Sequence, residues 1–260
     1  MGDEARDRFV DYYAEQSQSP ETMGRFRAIR DVVMRCRRRA GLSTGDLDVA
    51  DVGCGAGTQS IMWAIEGDRV HGMDINEKLV ELARERARQQ GATADFRIGS
   101  ATRLPWESTS MDVCLLPELL EHVTDWEPCI DEAVRVLRPG GTLYISTTNW
   151  LCPKQQEFEL PMYSWYPPPL KRYYEKLAVT TRGDLVNHAK YPAVHWFSFF
   201  GLRRELLARG MSDAWDRFDI MDLDSKSGLS KAVVGAVRAI YPLRVLAHVA
   251  TPYTVVVAVK

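Results

Sequence analysis

From Asp48 onward, short runs of β-branched and apolar residues alternate with longer stretches whose apolar positions recur at helical spacing. Asp48–Val52, Arg69–Met73, Asp95–Gly99 and Met111–Leu116 read as the first four strands. Between the second and third, Asn76 to Gln90 carries Leu79, Val80, Leu82 and Ala83 amid charges, which predicts a helix capped by Asn76 and stopped by Gly91. Phe9 to Arg39 predicts one or two more helices. Asp125 to Leu137 predicts the helix before the fifth strand, Thr142–Ser146, with Arg138-Pro139-Gly140-Gly141 as its terminator. Trp215–Asp222 and Tyr253–Val259 read as the last two strands. Alternation of this kind writes an α/β fold with a doubly wound parallel sheet. The organisation it suggests is a helical cap over residues 1–46 and one domain over 47–260, with insertions at about 150–200 and 225–250.

The junction between the first strand and the first helix of that domain reads Asp51-Val52-Gly53-Cys54-Gly55-Ala56-Gly57. Glycines at alternate positions remove the Cβ atoms that would hold a ligand away from the backbone and from the helix N-terminus. The spacing is G-x-G-x-G behind an acid, which makes a dinucleotide pyrophosphate the weaker reading. Seventeen residues past Gly57, the second strand ends in Asp74. A carboxylate there accepts from both hydroxyls of a ribose. A nucleotide-like cofactor is therefore expected.

These motifs, together with Leu137-Arg138-Pro139-Gly140-Gly141 before the strand Thr142–Ser146, resemble a class I S-adenosylmethionine-dependent methyltransferase over about Leu47 to Asn149. Glu118-Leu119-Leu120-Glu121-His122-Val123 and Ile145-Ser146-Thr147-Thr148-Asn149 are similar to the O-methyltransferases of ubiquinone biosynthesis. The resemblance implies a Rossmann-like, mostly parallel seven-stranded sheet with S-adenosylmethionine as cofactor. It places Gly53, Gly55 and Gly57 near the methionine moiety, and Asp51 organising the loop or meeting the amino group. Asp74 would hold the ribose, Ile75 would pack on adenine, and Leu116 or Pro117 would offer backbone. Relatives carry an acid-alanine pair at the adenine amine where this chain has Ser100-Ala101, so Thr102 is the alternative there. An upstream arginine of the family, reaching the cofactor carboxylate, would correspond to Arg25 or Arg27, although the family's N-terminal pattern is absent.

Net charge of −2 and a pI near 6.2 give no global attraction to nucleic acid. Neither an N-P-P-Y tetrad nor a Pro-Cys nucleophile follows the fourth strand. Arg35-Cys36-Arg37-Arg38-Arg39 reads as the solvated end of a helix, where cations suit the dipole. Five cysteines without a C-x-x-C pair, and an acidic N-terminus without an apolar core, lead to the expectation of a cytoplasmic protein lacking disulfides and zinc. The segment Trp150–Phe200 holds nearly half the aromatic residues and is expected to form a lid over the acceptor, its rings either contacting substrate or building the lid's own core. Ser225–Ala250 mixes apolar residues with Lys226, Lys231, Arg238 and Arg244. It reads either as a basic amphipathic helix on a membrane surface or as a helix packed on the lid or on a second subunit of a homodimer.

Methyl transfer from a sulfonium needs alignment and removal of one proton from the acceptor. Glu118, Glu121 and His122 stand at i, i+3 and i+4, with Pro117 suited to a first helical turn. On a helix all three would project together, and two carboxylates and an imidazole can hold a divalent ion that lowers the pKa of an acceptor hydroxyl. The resemblance implies Mg²⁺ on this E-x-x-E-H motif, while a histidine ligand favours a transition metal. The alternative is His122, or Glu121 beside it, as a metal-free base. His195 is a second candidate base or a packed lid histidine. The leading reading is an O-methyltransferase of a phenol, catechol or sugar hydroxyl. Competing with it are an N-methyltransferase or metal-independent sugar methyltransferase and, from another class, a non-catalytic cofactor-binding module.

Overall fold

The computed structural model describes residues 15–155, 157–186, 193–223 and 227–260. Seven strands run β1 Asp48–Val52, β2 Arg69–Asp74, β3 Ala94–Ile98, β4 Met111–Pro117, β5 Leu137–Thr148, β6 Asp213–Asp216 and β7 Tyr253–Val259. They form one sheet in the order β3-β2-β1-β4-β5-β7-β6. β1 to β5 are parallel, and β7 enters antiparallel between β5 and β6. The order reverses between β1 and β4, and a doubly wound sheet opens its ligand crevice at such a reversal, beyond the carboxyl ends of the strands.

Nine α-helices among the described residues complete the fold: α1 Pro20–Arg39, α2 Thr58–Ile65, α3 Glu77–Gln90, α4 Trp126–Val136, α5 Pro168–Thr180, α6 Phe199–Ala208, α7 Arg217–Ile220, α8 Gly228–Ala239 and α9 Tyr241–Val249. The two sheet faces are written by strand alternation. Val113 and Leu115 of β4 join Tyr144 and Val257 against Ile29, Val33 and Met34 of α1 and Trp63 of α2. Cys114 and Leu116, one residue out of phase, join Leu143, Ile145 and Val256 against Ile130 and Ala133 of α4 and Leu202 and Leu206 of α6. Helix α3 starts at Asn76, whose side chain accepts from the Leu79 amide, and stops at Gly91 with φ +64°.

Several sequence expectations are corrected. β5 begins at Leu137 and runs through Arg138-Pro139-Gly140-Gly141, because Gly140 bonds back to Lys260 and Met111 pairs with Leu137. The strand expected over Trp215–Asp222 ends at Asp216. There the Asp216 carboxylate accepts from the Phe218 and Asp219 amides, a capping box that turns the chain into α7. The basic run at the end of α1 is a solvated tip only in part: Arg38 and Arg39 are exposed. Arg37 is buried and donates to the Ser43 and Asp112 carbonyls and to Thr142, while Arg35 and Arg39 donate to the Ile220 and Asp219 carbonyls. These arginines bind α1 to β4, β5 and α7.

The lid segment builds a small core of its own. Phe158 stacks on Tyr163 at 4.0 Å between ring centroids, with Tyr166, Tyr174 and Trp196 packed around them. Trp150, Trp165 and Tyr173 stay exposed. The segment expected as one amphipathic helix is two, α8 and α9, bent by 109°; Ser225 and Lys226 fall outside the described residues. Its two arginines are used internally: Arg238 donates to the Phe218, Asp219 and Met221 carbonyls, and Arg244 pairs with Asp216 and Asp219, while Lys231 is exposed. Among the described residues no single helix is long and apolar enough to cross a membrane.

Candidate active site

Three left-handed residues in seven shape the junction of β1 and α2. Gly53, Gly55 and Gly57 have φ of +78°, +52° and +76°. They serve different ends. A Cβ on Gly57 would lie 2.6 Å from that of Ala83 in α3, so this glycine lets the two helices close on each other. A Cβ on Gly53 would meet Leu119 at 3.1 Å. Around Gly55 nothing lies within 4 Å of that position, and here the backbone faces open space.

Asp51 is buried beneath this loop. Its carboxylate accepts from Ser60 Oγ at 2.6 Å and from Gln59 Nε2 at 3.3 Å, both in the first turn of α2, and burial pushes its pKa up to about 6. Of its two expected roles, organising the loop is the one this geometry matches. Asp74 ends β2 facing the loop. One oxygen accepts from the Gly55 amide at 2.9 Å and the other from the Asn76 amide at 2.8 Å, while burial raises its pKa against those backbone donors. The Ile75 amide also acts on this carboxylate, and a carboxylate with about four lone-pair sites still keeps one for a ligand. Ile75, next in the chain, is 77% exposed, and Ile98, which ends the neighbouring β3, is 48% exposed. Two bare aliphatic side chains at adjacent strand ends offer an apolar platform; the sequence reading named only Ile75. Beyond β3, Ser100 and Thr102 share a hydroxyl hydrogen bond of 2.8 Å, and Ala101 packs against the core.

The E-x-x-E-H turn is where the structure departs most from expectation. Pro117 is the last residue of β4, paired with Ser146, and Leu116 is buried in the sheet. Glu118 then takes φ +51°, which breaks any continuation into helix, and α4 starts only at Trp126. The expected common face of Glu118, Glu121 and His122 does not form. Glu118 reaches Arg25 of α1 at 2.5 Å. Glu121 turns inward, 1% exposed, and accepts from Thr147 Oγ1 at 2.8 Å. Among the described residues no group of three His, Cys, Asp or Glu side chains is placed to hold a metal ion. The motif as folded does not offer the three-ligand face expected for a divalent ion: Glu118 is left-handed and paired with Arg25, and Glu121 is bonded inward to Thr147.

Burial and neighbouring carboxylates act together on this turn. Burial, with the charges of Glu118 and Glu157 adding to it, raises Glu121 to about 8. Glu157, from the lid segment, is lifted to about 7 by burial first and by Glu118 next. Burial chiefly raises Tyr144 of β5 and Tyr253 of β7 as well, with Glu118 adding at both and Glu157 and Glu121 at Tyr253. Sequence reasoning missed Glu157, Tyr144 and Tyr253, since Lys154-Gln155-Gln156-Glu157 has no pattern and the tyrosines read as ordinary strand residues.

His122 is half-buried on the turn. Leu119, three residues earlier, lies over Gly53, so the turn and the glycine loop share one crevice. His195 is tied into the same turn. Its amide and that of Val194 donate to the Glu121 carbonyl, and its Nε2 lies 2.9 Å from the Thr124 carbonyl. A carbonyl only accepts, so Nε2 carries the proton and His195 acts as a strut between lid and turn, the packed alternative. Arg25 meets Glu118, and that pair is half-exposed, worth at most about 1 kcal/mol. It is therefore readily exchanged for another anion.

The family described as "Methyltransferase domain" matches residues 50–145, the stretch from β1 to β5 that carries the loop, Asp74 and the turn. A ubiquinone biosynthesis O-methyltransferase of Rhizobium rhizogenes is 37% identical over 103 residues, 40% of this chain and 42% of that protein. One from Xanthomonas oryzae pv. oryzae is 39% identical over 102 residues, 39% and 43% of the two chains. The chain thus matches less than half the length of these relatives. The crystal structure of a Thermotoga maritima S-adenosylmethionine-dependent methyltransferase, a possible histamine N-methyltransferase, superposes with a TM-score of 0.54 at 18% identity, covering 97% of this chain and 96% of that one. That likeness carries the seven-stranded fold into the lid and the C-terminal helices, where sequence similarity stops. From β1 to β5 the chain resembles the class I S-adenosylmethionine-dependent methyltransferases, and within them the O-methyltransferases of ubiquinone biosynthesis.

Proposed function

We propose that this protein transfers a methyl group from S-adenosylmethionine to a hydroxyl of a small molecule without a metal ion. The observation that carries the reading is the pairing of Gly55 and Asp74: an open left-handed glycine whose amide is held by a carboxylate with acceptor capacity left, inside the stretch that matches a methyltransferase domain. The cofactor supplies an electrophilic methyl group on a sulfonium. Asp74 would accept from the ribose hydroxyls, Ile75 and Ile98 would flank the adenine, and Ser100-Ala101 or Thr102 would edge it. Arg25, released from Glu118, would meet the carboxylate of the methionine moiety, beside the backbone of Gly53.

On the acceptor side, His122 takes the proton from the hydroxyl, and the lid segment, with Glu157, shields the site from water. Glu121 stays inward, bonded to Thr147, and fixes the turn that presents His122. The acceptor is a phenol, catechol or sugar-type hydroxyl of a size the lid can cover. Membrane contact and nucleic acid play no part in this reading.

Radiolabelled methyl transfer to a panel of catechols, phenols and deoxysugar glycosides tests it, run with and without EDTA. Turnover indifferent to EDTA, and reduced about 10²–10⁴-fold by His122→Ala with cofactor affinity kept, is the expected result. Turnover abolished by EDTA and restored by Mg²⁺ would overturn the metal-free reading. Absence of cofactor binding would overturn methyl transfer itself.

A further inference from the structure

On the face of the sheet that α1 covers lies a cavity of about 340 Å³ outside the cofactor crevice. Its floor is Tyr144 of β5 and Val255 of β7, and one wall is Val32 with its α1 neighbours. Three guanidinium groups line it: Arg25 and Arg35 from α1, and Arg217 from the start of α7. The one acid in the lining is Asp222.

The three arginines are not equally engaged. Arg25 is tied to Glu118, and Arg35 donates to the Ile220 carbonyl. Arg217 is different. Among the described residues no carboxylate lies in ion-pair contact with it, and burial lowers its pKa, opposed by Tyr144 and Asp216. A half-buried guanidinium that lines an apolar cavity and meets no paired carboxylate keeps its fork of donors open to a ligand anion. Guanidinium groups are the side chains best suited to carboxylate and phosphate, since their fork of donors matches two oxygens at once. The rest of the cavity is aliphatic and aromatic, which suits a hydrocarbon body rather than a bare inorganic ion.

We propose that this cavity binds an organic anion, a carboxylate or phosphate monoester on a small apolar body, with Arg217 as its principal counter-ion. The anionic head lies between Arg217 and Arg35, and the body packs along Val32, Tyr144 and Val255. Ligand binding here does not depend on methyl transfer.

The test is calorimetric titration of the whole chain with benzoate and with phenyl phosphate, with and without S-adenosylhomocysteine. The same titration with benzamide serves as the uncharged control. Expected is saturable binding of at least one anion in both conditions, weakened tenfold or more by Arg217→Gln while affinity for S-adenosylhomocysteine is unchanged. Val32→Phe, which fills the apolar wall without touching a charge, is expected to weaken the same anions and serves if Arg217→Gln does not fold. No saturable binding by the unaltered chain, equal affinity in both variants, or benzamide bound as tightly as benzoate would each overturn the proposal. Anion binding that vanishes once S-adenosylhomocysteine is present would assign the anion to the cofactor crevice and overturn it as well.

Discussion

Gly55 and Gly57 share a left-handed backbone but differ in what surrounds them, and substitution separates the two reasons for a glycine. Alanine at either position pays roughly 1–2 kcal/mol for the positive φ. At position 57 its Cβ also meets Ala83 at 2.6 Å, so α2 and α3 must part. Gly57→Ala is expected to destabilise the chain by about 2–4 kcal/mol in urea unfolding, at the upper end of single substitutions. Gly55→Ala has room, and its expected effect is a loss of cofactor affinity with a smaller loss of stability; equal stability losses in the two variants would refute the distinction. A second expectation concerns Glu121. Its folded pKa near 8 exceeds that of an unfolded glutamate, so between those values the folded chain holds a proton that the unfolded chain has lost. Stability therefore falls as pH rises from about 5 to about 8. Glu121→Gln keeps an acceptor for Thr147 and carries no charge, so it should match the unaltered chain near pH 5 and exceed it near pH 9. A constant difference between the two across that range would show that the buried carboxyl is not the titrating group.

At the scale of elements, the strands from β1 to β4 were legible in the sequence to within a residue or two: β1 and β4 are buried apolar runs, and β2 and β3, the latter burying Phe96 alone, are short strands bounded by turn residues. The cap at Asn76 and the stop at Gly91 were legible for the same local reason. What local pattern could not carry was a competition between local and distant partners. Glu118, Glu121 and His122 have perfect helical spacing, yet Thr147 draws Glu121 inward and Arg25 draws Glu118 across from a helix 93 residues away. In the same way Trp215–Asp222 reads as a strand from its local sequence, but Asp216 finds its own downstream amides and stops it. Asp216 also holds α9 in place, through Arg244 at 2.7 Å and His248 Nε2 at 2.9 Å. Those partners, chiefly the hydrogen bonds from His248 and Arg244, outweigh burial and hold its pKa at about 2. The stabilisation is complete above the unfolded value near 4 and is lost as pH falls through about 2. Asp216→Ala leaves Arg244 and His248 without this partner, and a loss on the order of 3–5 kcal/mol is expected by chemical unfolding at neutral pH. A loss below about 1 kcal/mol would mean that α9 is held by the stacking of His248 on Phe199 instead.

For the molecule as a whole, the loop is tied to the single sheet through Asp74 at the end of β2, so cofactor binding there is expected to stabilise the fold that carries it. Sequence similarity ends near β5, and the lid and the α8–α9 pair were visible in the sequence only as composition. Their packing depends on contacts such as Phe158 with Tyr163, or Asn149 with the His248 and Thr251 carbonyls, that no periodicity announces. Those contacts matter for linkage. Asn149 is fully buried at the end of β5 and anchors the C-terminal segment to the strand that borders the crevice. A ligand that binds only the folded state adds RT ln(1 + [L]/Kd) to the unfolding free energy, about 2.7 kcal/mol at a hundredfold excess over Kd. For a chain of this size that is a rise in Tm of roughly 5–10 °C. S-Adenosylhomocysteine should produce such a shift, growing with the logarithm of its concentration. Gly55→Ala should reduce the shift at equal concentration, whereas Asp216→Ala should lower the starting Tm and leave the shift intact. The pairing of results decides between two kinds of residue: a crevice residue changes the increment, and a scaffold residue changes the baseline. If millimolar S-adenosylhomocysteine leaves the Tm of the unaltered chain where it was, the crevice around Gly55 and Asp74 does not bind this cofactor, and the reading of the whole molecule as a methyltransferase fails with it.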